Sequence, residues 1–331
     1  MAHTDLPLED LRAYRPEVAE PHDFDAFWQD TLAQSRDSGT EVSIGAPDPH
    51  LQHVDVREVT FAGFAGEPIK AWYARPTAAP DADLACIVQL AGYGGGRGLA
   101  IDHTRWAAAG YAHLFVDTRG QGSNWGTGGD TADTAPAGPA TPGFMTRGIL
   151  DPEDYYYRRV FVDAVRGVDA AATLPGVDSS RLVFAGMSQG GGVALAVAGL
   201  VPTLAAVLPD VPFLCHFRRA VAVTDAHPYA EITRYLSVHR DVDQQVFNTL
   251  SYFDGVNFAK RAVAPSLWSV ALMDQTCPPS TVFAAYNWYG EHGVQAGSPR
   301  KDMVVYPYND HEGGDSHQVV RQLDFLADLL G

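Results

Sequence analysis

The chain has 331 residues, 46% of them hydrophobic and 11% aromatic, which is enough for a large packed core and too much for a disordered chain. Its formal net charge of −17 argues against nucleic acid or an anionic membrane surface as a partner. Three cysteines (Cys86, Cys215, Cys277) cannot all pair, no apolar run nears the roughly 18 residues of a membrane span, and Met1–Pro7 carries no signal-peptide pattern. A cytoplasmic protein with buried thiols is therefore expected.

In chain order, Phe24, Phe27, Trp28 and Leu32 predict an amphipathic helix near 22–36, inside a helical extension covering 1–50. Val54–Gly63 and Pro68–Arg75 alternate with a two-residue period around Gly63–Gly66 and predict an antiparallel pair. Further strands are expected at 85–90, 112–117, 181–185, 204–209, 265–273 and 302–307. Between them, 154–173 sets Val160, Phe161, Ala164, Val165, Val168, Ala171 and Ala172 on one helical stripe. A last helix should begin at Ser316 as N-cap and carry Val319, Val320, Leu323, Leu326, Ala327 and Leu330. Two antiparallel strands followed by six that alternate with helices make an eight-stranded, mostly parallel α/β sheet of the α/β-hydrolase kind, as one domain over 1–331. Two connections are long: 119–153, rich in Gly, Pro, Thr and Asp, and 211–262, a cap insertion between the sixth and seventh predicted strands.

The chemistry-bearing motif is Gly186-Met187-Ser188-Gln189-Gly190, between the apolar strand Arg181–Ala185 and the small-residue segment Gly191–Gly199. G-x-S-x-G on a strand-to-helix turn is the nucleophile elbow: the turn strains the serine, and the helix N-terminus beyond it favours negative charge. A serine hydroxyl needs a base, and the base an orienting acid, in the chain order Ser, Asp or Glu, His. His311 follows the strand Met303–Pro307 and opens the loop before the last helix, where this fold delivers its histidine. His103 and His113 precede Ser188 and have the wrong order; His292 and His317 are weaker candidates. Asp274 and Asp210 both suit the acid, with Asp274 preferred, and Asp117 reads as structural. The oxyanion hole needs the N–H after the nucleophile, from Gln189, and one from the loop after the third predicted strand. Ala91–Gly98 is that loop, and Tyr93 is placed to supply it.

Other motifs fail on residue identity. Gly92 and Gly94 would need glycine at 97, which is Arg97, for a dinucleotide fingerprint; His311-Glu312 would need histidine at 315, which is Asp315, for a zinc-protease helix. Cys277 reads as a packed thiol, and Arg119 with Gln121 as supports for the loops beside the elbow. Tyr155–Tyr157 and Tyr286–Tyr289 read as core or interface. No metal or cofactor is expected.

Together, Asp117–Gly122, Gly186–Gly191, Leu272–Ser280 and Tyr306–Glu312, with Arg158–Val165 and Thr249–Asn257, resemble the acetyl xylan esterase and cephalosporin C deacetylase family (carbohydrate esterase family seven). The resemblance implies Ser188 as nucleophile, Asp274 as acid, which decides against Asp210, His311 as base, and the Tyr93 and Gln189 amides as oxyanion donors. Many members carry histidine where this chain has Ala91. It further implies removal of acetyl groups from xylo-oligosaccharides and cephalosporin C by a homo-hexamer whose sites face an inner cavity, with 119–153 as a plausible interface. A peptidase or a broader short-chain esterase of the same fold is the alternative; such peptidases usually carry a large accessory domain. A hydrolase-fold scaffold without activity would need no intact triad.

Overall fold

A computed structural model describes residues 3–39, 41–79, 83–134, 137–292 and 297–331. Among them the strands form one nine-stranded sheet: β1 (Val42–Pro47), β2 (Val54–Ala62), β3 (Pro68–Pro76), β4 (Leu84–Leu90), β5 (Ala112–Val116), β6 (Val177–Met187), β7 (Ala206–Asp210), β8 (Ser266–Ala271) and β9 (Lys301–Tyr306). Their spatial order is β1-β2-β3-β5-β4-β6-β7-β8-β9, antiparallel from β1 to the β3–β5 pair and parallel thereafter. Nine strands replace the eight read from the sequence. Residues 42–47 are nearly all solvent-facing, so β1 lacks the alternation that reveals a half-buried strand. The N-terminal extension is thus helical only through α1 (Leu8–Ala13) and α2 (Phe24–Asp37) before it joins the sheet edge.

Helices cover both faces. On one side lie α2, α4 (Tyr156–Ala171), α5 (Gln189–Leu200), α9 (Gly255–Arg261) and α10 (Pro279–Trp288), packed into a core with Trp28, Phe161, Val193, Phe258 and Val282. On the other, α3 (Arg105–Ala108) and α11 (Asp315–Leu330) close over Ile87, Val183, Leu208 and Leu267 with Trp106, Phe325 and Leu326. The α5 segment is apolar on every side and buried throughout its first ten residues, as a central helix must be. Its glycines permit the contact: a Cβ on Gly199 would sit 2.7 Å from the carbonyl oxygen of Phe258 on α9.

The predicted stripe of α4 is buried, but so are Arg158, Asp163 and Arg166 on its other side. The N-cap expectation at Ser316 is corrected. α11 begins at Asp315 behind Gly314, whose φ is +89° and where a side chain would run into the Tyr306 ring. Steric demand, not a capping hydroxyl, sets that helix start.

The 211–262 insertion forms α6 (Phe217–Val223), α7 (Ala230–Val238), α8 (Asp243–Ser251) and α9. It is anchored along its length: Phe213, Phe217, Tyr229, Ile232, Phe253 and Phe258 all belong to the main core. The cleft is reached by the stretch before α7, through His227 and Pro228.

Candidate active site

The elbow lies at the centre of the sheet's carboxyl edge. Gly186 ends beside Leu90 of β4 and Pro209 of β7, so the turn at Ser188 projects between two neighbouring strands. Ser188 has φ 57° and ψ −117°, a conformation that costs on the order of 1–3 kcal/mol for a residue with a side chain. The strain is held by backbone bonds on every side. Ser188 N donates to Asp210 O at 2.9 Å, and Ser188 O accepts from Gly192 N at 3.0 Å and Phe213 N at 2.9 Å. Gly186 and Gly190 are required by space: a Cβ on either would overlap backbone atoms, of Gly190 and Leu90 respectively.

Asp274 and His311 meet because β8 and β9 run in register. Ala271 lies opposite Tyr306, and the pairing continues past the strand ends, with Leu272 N donating to Tyr306 O and Met273 N to Asn309 O. The His311 Nδ1 then lies 2.8 Å from Asp274 Oδ2. The other carboxylate oxygen, Oδ1, accepts from Thr276 N and Cys277 N, each at 2.8 Å. Three hydrogen bonds therefore fix a carboxylate that is 2% exposed, while the His311 side chain remains 27% exposed. Ser188, 6% exposed, shares a cavity of about 700 Å³ with His311, Tyr93, Phe115, Trp125 and His227. Ser188 Oγ and the His311 ring share no hydrogen bond among the described residues; such contacts commonly tighten only with substrate in place.

Cys277 packs beside these groups. Burial, followed by the proximity of Asp274 and Cys215, pushes its thiol well above the usual range, opposed by a hydrogen bond with Ser188. That burial favours the neutral thiol. Asp274, Cys277 and His311 each bring one ligand atom within 4.8 Å of the others, the one such group among the described residues. An ion there would compete with the Asp274–His311 bond.

The two candidate oxyanion donors sit on either side of the elbow. Gln189 is the first residue of α5, and its buried side chain accepts at Oε1 from Tyr157 OH at 2.9 Å and Gln121 Nε2 at 2.8 Å. Its own Nε2 donates to Gln121 Oε1 at 3.2 Å. Gln121 Oε1 also accepts from Gly94 N at 2.7 Å, so one amide side chain ties the Ala91–Gly98 loop to the elbow. Tyr93 is held from the far side: its hydroxyl donates to Glu231 Oε1 at 2.7 Å and accepts from Phe144 N at 2.9 Å and Gly143 N at 3.2 Å. Its backbone carbonyl accepts from Trp125 Nε1 at 2.7 Å. Glu231 and Trp125 were not found from the sequence; nothing local to them signals the contact.

Arg119 stands apart from Gln121. Its guanidinium bonds Asp163 at 2.5 and 2.8 Å and Glu67 at 2.5 Å, fully buried under α4 and away from the cleft. Burial would lower its pKa, but Asp163 and Glu67 outweigh that and raise it. Only its carbonyl, bonded by Tyr156 OH, links it to the network under the elbow. Asp117 anchors the 119–153 segment, accepting from Arg97 N, Asp130 N, and Thr131 N and Oγ1. Asp210, the other acid considered, faces away from His311: its oxygens accept from Gln318 and Gln322 of α11 at 2.9 and 2.7 Å. These groups line a second, more polar cavity of about 260 Å³ with His103 and His113.

A model of the acetyl xylan esterase family (AXE1) matches residues 1–329. The acetyl esterase Axe7A of Xylanibacter ruminicola is 26% identical over 307 residues, covering 90% of this chain; the chain spans 65% of that relative's length. Among solved structures, the acetyl xylan esterase from Paenibacillus sp. R4 superposes with a TM-score of 0.86 at 38% identity, over 97% of this chain and 99% of that one. Acetyl xylan esterase 1 from Thermoanaerobacterium sp. JW/SL YS485 does so with a TM-score of 0.86 at 31% identity, over 99% and 100%.

Proposed function

The chain belongs to the acetyl xylan esterase family, and we propose that it is a serine carboxylesterase that removes acetyl groups from xylo-oligosaccharides and related small esters, cephalosporin C among them. The observation that carries this reading is Ser188, strained at the tip of the elbow, in one cavity with a histidine already oriented by a buried carboxylate.

In this reading His311, its Nδ1–H held by Asp274, accepts the Ser188 proton at Nε2 as Oγ attacks the acetyl carbonyl. The tetrahedral oxyanion is received by the Tyr93 and Gln189 amides, and the positive end of α5 favours the same charge. His311 returns the proton to the departing sugar oxygen, leaving an acetyl ester on Ser188. A water molecule, giving its proton to His311, repeats the sequence and releases acetate. The cleft is lined mainly by apolar groups, which suits a neutral ester.

The test is acetate release from acetylated xylose, acetylated xylo-oligosaccharides, cephalosporin C and longer acyl esters, with Ser188→Ala alongside each. Acetyl esters should be turned over best, and only by the chain that retains Ser188; equal turnover of long acyl esters or of peptide amides would replace the reading. The hexamer implied by the family resemblance is proposed as well, and light scattering after size exclusion decides it: a monomer at working concentration would remove it.

A further inference from the structure

We propose that Glu231 is a positioning residue for this reaction: through the Tyr93 hydroxyl it holds the Tyr93 backbone N–H where the oxyanion forms. The proposal rests on the esterase reading above and assigns a role to α7, the part of the 211–262 insertion beside the cleft.

The loop that must present this N–H is tied along its backbone, by Gly95 N to Gly92 O within it and by Gln121, Asn124 and Trp125 from outside, but it is built almost wholly of glycine. Between Ala91 and Arg97 the chain reads Gly92, Tyr93, Gly94, Gly95, Gly96, so Tyr93 is the single side chain in a run of five. Gly94 has φ +81° and Gly98 +62°. Glycine loses more conformational freedom on ordering than any other residue, and a donor on such a loop is precise only if something external grips it.

At the donor residue itself the Tyr93 ring adds a further grip. Its hydroxyl donates to Glu231 Oε1 at 2.7 Å, the length of a charge-assisted bond. Glu231 Oε2 accepts from Met145 N at 3.1 Å, so a single carboxylate spans Tyr93 and the 119–153 segment. That segment bonds back to the same hydroxyl through Gly143 N and Phe144 N. Phe144 and Phe213 pack against the ring at centroid distances of 5.6 and 6.2 Å. Burial, and then the Glu231 hydrogen bond, push the phenol pKa upward, so it stays protonated and remains a donor.

The experiment compares Glu231→Ala, Glu231→Gln, Tyr93→Phe and the Tyr93→Phe/Glu231→Ala pair with wild type on p-nitrophenyl acetate. It adds the inhibition constant of methylboronic acid, which forms a tetrahedral adduct on the serine. Losing an oxyanion donor outright costs about 10²–10³ in kcat; loosening one should cost roughly 10–100-fold in Glu231→Ala, with KM within about threefold. The boronic acid should bind more weakly by a similar factor. Glu231→Gln, which keeps an acceptor for the phenol, should recover most of the loss. The double variant should fall little below Tyr93→Phe, because both remove the Tyr93–Glu231 bond and the pair loses in addition only the Met145 N bond to Glu231. A kcat within twofold of wild type in both single variants, losses that multiply, or an unchanged boronic acid affinity would each overturn the proposal. Tyr93→Phe deletes one oxygen and serves if Glu231→Ala does not fold. Full activity in Ser188→Ala would instead remove the esterase reading, and the proposal with it; a dead Ser188→Ala beside an unaffected Glu231→Ala and Tyr93→Phe removes the positioning role alone.

Discussion

Gln189 and Tyr93 flank Ser188 on two loops of very different construction. Gln189 opens α5, so its N–H direction follows from the helix itself, and its side chain is locked among Tyr157 and Gln121 in the core. Tyr93 stands on a glycine loop and is oriented by three segments remote in the chain, carrying Trp125, Gly143–Phe144 and Glu231. One side of the elbow is rigid by secondary structure, the other by tertiary bracing. The difference teaches that two donors with one proposed task can have different tolerance to change: the first fails when backbone space is lost, the second when a distant side chain is.

The largest expected effect removes what both donors serve. Ser188→Ala should lower kcat by on the order of 10⁶, and Asp274→Asn by about 10⁴, in steady-state assays with the fold intact by circular dichroism. Activity within tenfold of wild type in either would remove the reason for comparing the donors at all.

The next effect separates the two sides. Gly190→Ala drives a methyl into the Leu90 carbonyl oxygen in the centre of the sheet, whereas the Cβ of Gly94→Ala meets Asn124 Cβ at 2.8 Å, so that the two loops must part slightly at the rim of the cleft. Overpacking a rigid site costs about 1–3 kcal/mol or more, so Gly190→Ala should lower Tm by many degrees or fail to fold. Gly94→Ala should fold, carrying a left-handed penalty near 1 kcal/mol, and should lose activity first. Equal losses of Tm in the two variants would end the distinction.

Gln121 links both sides. Gln121→Leu leaves Gly94 N without its acceptor and takes from the Gln189 amide its two bonds to Gln121, leaving it Tyr157 OH and Ala91 O, at about 1–3 kcal/mol for an unsatisfied buried group. A roughly tenfold fall in kcat with little change in KM is expected; a rise in KM alone would place Gln121 in binding instead.

The smallest effect concerns the support under the elbow, where Ser188 N bonds the Asp210 carbonyl. Burial raises the Asp210 carboxyl to about 7, against hydrogen bonds from Ser269, Gln322 and Gln318 that lower it. The folded chain therefore keeps a proton that the unfolded chain releases near pH 4. Between about pH 4 and 7 the unfolded state binds fewer protons, so this group's contribution to stability falls as pH rises and stays low above 7. Asp210→Asn should raise Tm more at pH 8 than at pH 5, relative to wild type in the same buffers. The same shift at both pH values would show that the carboxyl does not titrate in this way.

The elbow turn and the candidate base and acid could be read from the sequence because each is announced by its neighbours: a strand ends, glycines or a loop follow, and chain order does the rest. Asp274 over Asp210 was decided by family resemblance, and the geometry now gives a local reason, since Asp210 points to α11 while Asp274 follows the strand paired with the one before His311. The ninth strand was missed because an exposed edge carries no alternation. Arg119 and Gln121, adjacent in one motif, read as a pair, yet one faces α4 and the other the elbow, a division that only side-chain direction settles.

By itself, the sequence determined what short-range sterics and periodicity encode: an α/β sheet with helices between its parallel strands, and a serine on a turn too tight for anything but glycine beside it. The tertiary structure decided what depends on through-space contact between remote segments. It set where α11 begins, that residues along the whole 211–262 insertion enter the main core, and that Tyr93 is gripped by a carboxylate 138 residues away. Backbone strain and hydrophobic period are properties of neighbouring residues and leave a pattern in the chain. A hydrogen bond across the cleft is a property of the packed whole and leaves none.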